Sequence, residues 1–118
     1  VKIKKFLSSS GAEIWVGMDD ASNDALSLKL AAPEDLWFHV AGFPGSHVLL
    51  RGADDRESIK EAAALAAWFS KMRNGRNVSV HYCPAKNVSK PRGARAGTVR
   101  IKREKKVKVT PALREEIK

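Results

Sequence analysis

Cysteine occurs once in the 118-residue sequence, at Cys83, so no disulfide can form within the chain and a reducing, cytoplasmic setting is expected. Long apolar runs are missing as well. The richest stretch, Ala62 to Phe69, is short and flanked by charge, which is too little to span a bilayer, and no signal-peptide pattern opens the chain. The sequence has no Gly-x-Gly-x-x-Gly, no Gly-Lys-Ser/Thr, no Cys-x-x-Cys and no His-Glu-x-x-His. A dinucleotide cradle, a P-loop and the common zinc frameworks are therefore excluded as motifs, and neither a cofactor nor a metal is expected. Acidic residues are scarce too, 13 against 22 Lys and Arg.

What is present is a folded basic chain. Its 43% apolar content is that of a globular domain, and its length suits one domain spanning residues 1–118. The formal charge of +9 is unevenly placed: residues 71–108 hold 13 Lys and Arg and one acid, a net +12, which leaves −3 for the remainder. Clustered cations without counter-charges repel one another and are relieved by a polyanion. Nucleic acid is the first candidate partner. An anionic membrane is a weaker one, because the only clear helix puts few cations on its exposed face. A first residue of Val1 and not Met leaves a stand-alone domain and an excised piece of a longer chain both open.

The pattern predicts an α+β fold, a mostly antiparallel β-sheet with one long helix and a short helix packed on it. Lys4-Lys5-Phe6, the turn Ser8-Ser9-Ser10-Gly11 and Glu13 to Gly17 read as a first hairpin. Ser22 or Asn23 would cap a short helix over Asp24 to Ala31. Leu36 to Val40 and His47 to Leu50 read as strands, with Pro44-Gly45 central in a type II turn and Gly45 at positive φ. The long helix is placed at Glu57 to Met72 behind an Asp54/Glu57 capping box, and Asn74-Gly75 ends it. Trp37, Phe43 and Tyr82 could stack bases; alternatively Trp15, Trp37, Trp68 and Phe69 form the core, the reading preferred for Trp68 and Phe69 on the wide apolar face of the helix, with Phe43 exposed at a turn tip. Val78 to Tyr82 is a further strand, and Lys86 to Gly97 a basic loop.

Thr98 to Thr110 alternates apolar and cationic residues around Arg103-Glu104-Lys105, which predicts a C-terminal hairpin. With Ile101 opposite Val107, Lys102 would face Lys106 and Arg100 would face Lys108. Like charges so placed cost roughly 0.2–1 kcal/mol per pair, which a fold alone has no reason to accept. A ribbon of cations does match a phosphate backbone. The loop before it adds Lys86, Lys90, Arg92 and Arg95 around Gly93 and Gly97, where main-chain N–H groups can approach a phosphate. Three histidines point to the other chemistry available. His39, His47 or His81, with Cys83 two residues beyond His81, would be the means of a metal- or His-dependent hydrolase acting on RNA or nucleotides. Under one register of the Pro-Gly hairpin, His39 and His47 are cross-strand partners; under another they lie on opposite faces.

Asp35-Leu36-Trp37-Phe38-His39-Val40 followed by Pro44-Gly45-Ser46-His47-Val48 resembles the signature of the NFACT-R domain, the RNA-binding domain of the NFACT ribosome quality-control family. The likeness extends over Val16-Gly17 with Asn23-Asp24, Ala62 to Ser70, Lys90-Pro91 with Gly93-Ala94 and Gly97, and Val107 to Pro111. Two departures stand out: Met18-Asp19-Asp20 replaces a usual basic, Asn-rich stretch, and Ala96 a usual proline. The resemblance implies a non-catalytic domain that engages structured RNA, tRNA or large-subunit rRNA, in ribosome quality control or tRNA metabolism. Residues tied to tailing of stalled chains belong to a different domain of that family, so tailing is not implied; other NFACT domains are expected partners if the chain is a fragment. On this reading Lys86, Lys90, Arg92, Arg95, Arg100, Lys102, Lys106 and Lys108 contact phosphates. Trp37, His39, Pro44, Gly45, Ser46 and His47 form a motif patch beside them.

Overall fold

The computed structural model describes residues 1–117. Ile3–Leu7 (β1) and Glu13–Gly17 (β2) form the first hairpin, with Phe6 opposite Ile14 and Lys5 opposite Trp15. Strands β3 (Leu36–Val40), β4 (Val48–Leu50), β5 (Val78–Pro84) and β8 (Lys105–Val109) complete a six-stranded sheet in the order β1-β2-β4-β3-β5-β8. Every neighbouring pair is antiparallel, as the alternation predicted. The short strands β6 (Val88–Ser89) and β7 (Arg100–Ile101) pair with each other in a separate ribbon.

Side chains alternate between the two sheet faces, and each face has its own cover. Phe6, Ile14, Val16, Phe38, Val40, Val48, Leu50, Val78 and Val80 meet the long helix α2 (Arg56–Trp68). That helix presents Ala62, Ala63, Ala66 and Ala67, all fully buried, whose small side chains let it lie close to the sheet. On the opposite face Trp37, Leu49 and Cys83 are covered by Leu26 and by Val88 of β6, with Val99 and Ile101 beside them. Leu26 belongs to a wide helical turn, Leu26–Leu30, that continues α1 (Asp20–Ala25).

Several boundaries differ from expectation, each for a local reason. The short helix starts at Asp20 because Asp19 is its N-cap, accepting from the Ser22 N–H at 2.8 Å. Ser22 and Asn23 are buried instead and serve as tertiary anchors: Ser22 Oγ accepts from the Lys2 N–H at 2.7 Å, and Asn23 Oδ1 from the His47 N–H at 3.0 Å. Asp55, not Asp54, caps α2 through the Ser58 N–H at 3.1 Å. The helix ends at Trp68 and not Met72, because the chain after it pairs with the segment before β4: Ser46 N–H donates to Phe69 O, and Lys71 N–H to Pro44 O. Trp68 lies outside both apolar clusters, half-buried, with the Arg73 guanidinium 4.9 Å from its ring centroid.

The same pairing changes the role of Gly45. It does not adopt positive φ; Gly42 does, at 78°. Gly45 is required by proximity, since a Cβ there would sit 2.7 Å from Ser70 Cβ.

The expected C-terminal hairpin does not form. Strand β7 pairs with β6, and β8 joins the main sheet with Lys106 opposite His81 and Lys108 opposite Ser79. The apolar residues of the two arms explain this: Val99 and Ile101 fill the cluster under Trp37, whereas Val107 and Val109 fill the cluster under α2, on the other side of the sheet. Two arms whose apolar faces belong to opposite layers cannot ladder together. Lys102 against Lys106 and Arg100 against Lys108 are therefore not cross-strand pairs, and that repulsion is avoided.

Candidate nucleic-acid interface

The strand registers bring the three histidines onto one sheet face. His39 lies opposite His81, His81 opposite Lys106, and the His39 and His47 rings are 5.5 Å apart at 86°. The hairpin therefore has the register in which His39 and His47 are partners. They form a row from the residue before β4 across β3 to β5 rather than a ring around one point, and among the described residues no three His, Cys, Asp or Glu side chains are placed to hold a metal ion. Cys83 is enclosed among Trp37, Leu49 and Leu26, and burial pushes its thiol up to about 11.

The motif patch is largely an internal framework. The Trp37 indole N–H donates to Ser27 Oγ at 2.7 Å, and Ser27 Oγ lies 2.8 Å from His47 Nδ1. An indole can only donate, so the Ser27 oxygen accepts from Trp37 and shares a second hydrogen bond with His47 Nδ1, joining the three side chains into one buried chain. Trp37 meets His47 edge-on at 5.1 Å and stacks near His39 at 6.0 Å. Burial lowers the pKa of both histidines, that of His47 to about 4. The neighbouring His39 reinforces the effect on His47; Asp24 and hydrogen bonds to the main chain of Asn23 and Gly97 oppose it. Pro44, Gly45 and Ser46 dock the motif against the end of α2.

The basic loop is fastened to α1. Lys90 Nζ reaches the Asp24 carboxylate at 3.0 Å, the Thr98 carbonyl at 2.9 Å and the Arg95 carbonyl, while Gly97 N–H donates to Asp24 Oδ1 at 3.0 Å. Gly93 and Gly97, at φ 75° and 85°, are the third residues of two tight turns closed by Ala94 N–H to Pro91 O and Thr98 N–H to Arg95 O. These turns hold Arg92 and Arg95 outward, both exposed. Lys90 thus organises the loop from inside. Replacing it with Met should weaken polyanion binding and flatten log K against log salt by loosening Arg92 and Arg95, and should add nothing in a variant whose Arg92 and Arg95 are already Ala. Titrations at several salt concentrations would read this, and a further fall in slope in that combined variant would assign Lys90 to the phosphates instead.

Of the other candidates, Lys86 pairs with Glu34 at 2.8 Å on the surface, a contact of little strength. Arg92, Arg95, Arg100, Lys102, Lys106 and Lys108 are exposed and take part in no salt bridge among the described residues. Sequence reasoning missed Asp24 and Ser27 as organisers. Neither had a signal of that role in the sequence: Asp24 is one of three acids within six residues and lies 66 residues from Lys90, and Ser27 sits inside Leu-Ser-Leu-Lys-Leu.

A sequence family described as the NFACT protein RNA binding domain matches residues 2–103. This chain belongs to that family. This NFACT domain is 39% identical over 110 residues to the Rqc2 homolog RqcH of Bacillus subtilis, covering 92% of this chain and 19% of the relative. It is 32% identical over 111 residues to coiled-coil domain-containing protein 25 of Bos taurus, covering 87% and 53%. A solved structure, the C-terminal part of the fibronectin/fibrinogen-binding protein from Streptococcus suis, superposes with a TM-score of 0.91 at 37% identity, over 95% of this chain and 46% of that one. The NFACT domain thus spans about a fifth of the Bacillus relative and about half of the bovine one. No helix among the described residues is long and apolar enough to cross a membrane.

Proposed function

We propose that this domain binds structured RNA, tRNA or large-subunit rRNA, in the cytoplasm, as a non-catalytic part of ribosome quality control or tRNA metabolism. The observation that carries the reading is the set of six exposed cations, without salt bridges among the described residues, on the docked loop, β7, the link after it and β8. A self-contained fold gains nothing from leaving them without partners, whereas each replaces a counterion on a phosphate backbone. Family membership and the likeness to RqcH favour RNA as the polyanion. Arg92, Arg95, Arg100, Lys102, Lys106 and Lys108 make the phosphate contacts, and Lys90 shapes the loop that carries two of them.

Binding to tRNA should fall steeply with salt. Substituting Lys102, Lys106 and Lys108 together by Ala should lower the slope of log K against log salt by roughly 2–3 units, at about 0.7–0.9 per phosphate contact. Substituting Lys60, on the exposed side of α2, should leave it unchanged. Fluorescence titrations between low and physiological salt decide the matter; absence of binding to tRNA and rRNA fragments at low salt refutes the reading.

A further inference from the structure

We propose that the cavity between the start of α2 and the β7–β8 crossing receives one unpaired RNA nucleobase, stacked on Tyr82, with Arg103 and Lys105 holding the adjoining phosphates. The proposal rests on the RNA-binding reading above and adds a site that the exposed cations alone do not define. The cavity measures about 270 Å³ and has an apolar wall of Leu36, Ile59, Tyr82 and Pro84. That is just under the roughly 300–1,000 Å³ of sites for drug-sized ligands, a size that suits a single base.

Aromatic stacking already begins inside the protein. The Phe38 and Tyr82 rings lie 5.4 Å apart and 17° from parallel. Tyr82 lines the cavity and Phe38 does not, so a base entering there adds a third ring to an existing stack. Lys105, directly opposite Tyr82, lies on the edge strand, and its long side chain is free to swing toward a phosphate. Arg103, at the mouth, has φ 54°, a left-handed conformation that is unfavourable for a residue with a side chain and persists where the surroundings impose it. Here it turns the chain from β7 into β8.

Strand alternation supplies the remaining argument. Lys105 and Lys106 are neighbours in sequence and point to opposite sides of β8, so a strand of RNA crossing this edge meets cations on both sides. Asp54, also in the lining, offers an acceptor to an exocyclic amine of the base, which favours adenine, cytosine or guanine over uracil.

The test compares a stem-loop RNA with a fully paired duplex of equal charge, titrated against the full chain. Tyr82→Leu should weaken loop binding by roughly tenfold, within the range of one base–aromatic stack, and leave duplex binding and both salt slopes unchanged. Tyr82→Phe, which keeps the ring, should restore the loop affinity. Should Tyr82→Leu fail to fold, photocrosslinking of the unsubstituted protein to a loop carrying 5-iodocytosine, which keeps the exocyclic amine, reads the same contact. A crosslink on Tyr82 supports the site, and crosslinks elsewhere alone overturn it. Equal loss on loop and duplex, or none on either, overturns the pocket while RNA binding stands; no RNA binding by the unsubstituted protein overturns both.

Discussion

Gly17→Ala is expected to be the most damaging single methyl that can be added to this domain. Gly17 ends β2, and a Cβ there would sit 2.2 Å from Asn23 Oδ1 and 3.1 Å from the Asn23 backbone N and Cα. Its backbone is not left-handed, so the glycine is selected by contact and not by φ. To admit the methyl, α1 must move away from the sheet. That movement breaks the bond from the His47 N–H to Asn23 Oδ1 and shifts Ser22, which accepts from the Lys2 N–H. Forced repacking costs roughly 1–3 kcal/mol, and an orphaned buried amide roughly 1–3 kcal/mol more. Against a total stability of roughly 5–15 kcal/mol, this is a large fraction. Urea unfolding should therefore show a marked drop in midpoint for Gly17→Ala. Gly52→Ala should cost only about 1–2 kcal/mol, since that glycine has positive φ but open space around its Cβ position. Asn23→Ala removes the clashing oxygen, so the double variant should lose clearly less than the sum of the two single ones. Additive losses would show that the Gly17–Asn23 contact is not the cause.

The Gly17–Asn23 contact also shows where sequence reading runs out. Val16-Gly17 and Asn23-Asp24 were legible as parts of a family pattern, and the strands β1 to β5 were legible from β-branched and apolar runs between turn signals, with alternation only in β5. Their pairing partners were legible only where a short turn joins them, as between β1 and β2 or β3 and β4. The β7–β8 segment misled because its alternation is identical for a hairpin and for two strands that bury opposite faces. Deciding between them needs the knowledge that Ile101 packs under Trp37 while Val107 packs under α2. That is a property of layers, which periodicity in one segment does not carry. The cationic composition was legible and survives as six exposed residues, but the inward turn of Lys90 depends on Asp24, 66 residues away.

Acid should unfold this domain earlier than its carboxylates alone would require. His47 is held neutral chiefly by burial, and its pKa is lowered from 6.5 to about 4, first by that burial and then by His39. Between those two values the unfolded chain binds a proton that the folded one refuses. The stability that His47 contributes is therefore complete above pH 6.5 and is lost as pH falls toward 4, by about 3 kcal/mol in all. His39, lowered mainly by burial, acts in the same direction. Asp19 and Asp55, lowered chiefly by hydrogen bonds from Ser22 and Ser58, add their losses only below the ordinary carboxylate range. Unfolding midpoints in urea should thus decline between pH 7 and pH 4.5, before those aspartates respond. In His47→Asn the side-chain amide stands where Nδ1 stood and keeps a hydrogen bond with Ser27. That variant should start less stable at pH 7, for want of the ring, and lose less over the same range. An unchanged slope would place the acid response elsewhere. The link to the interface is direct, because Gly97, bonded to Asp24 and close to the His47 ring, belongs to the loop that carries Arg92 and Arg95. A charge on the buried His47 ring destabilises the packing beneath Gly97, and with it the loop that Asp24 and Lys90 fasten there. Loss of RNA binding should therefore accompany the early part of the acid transition, although the added positive charge taken alone would strengthen it.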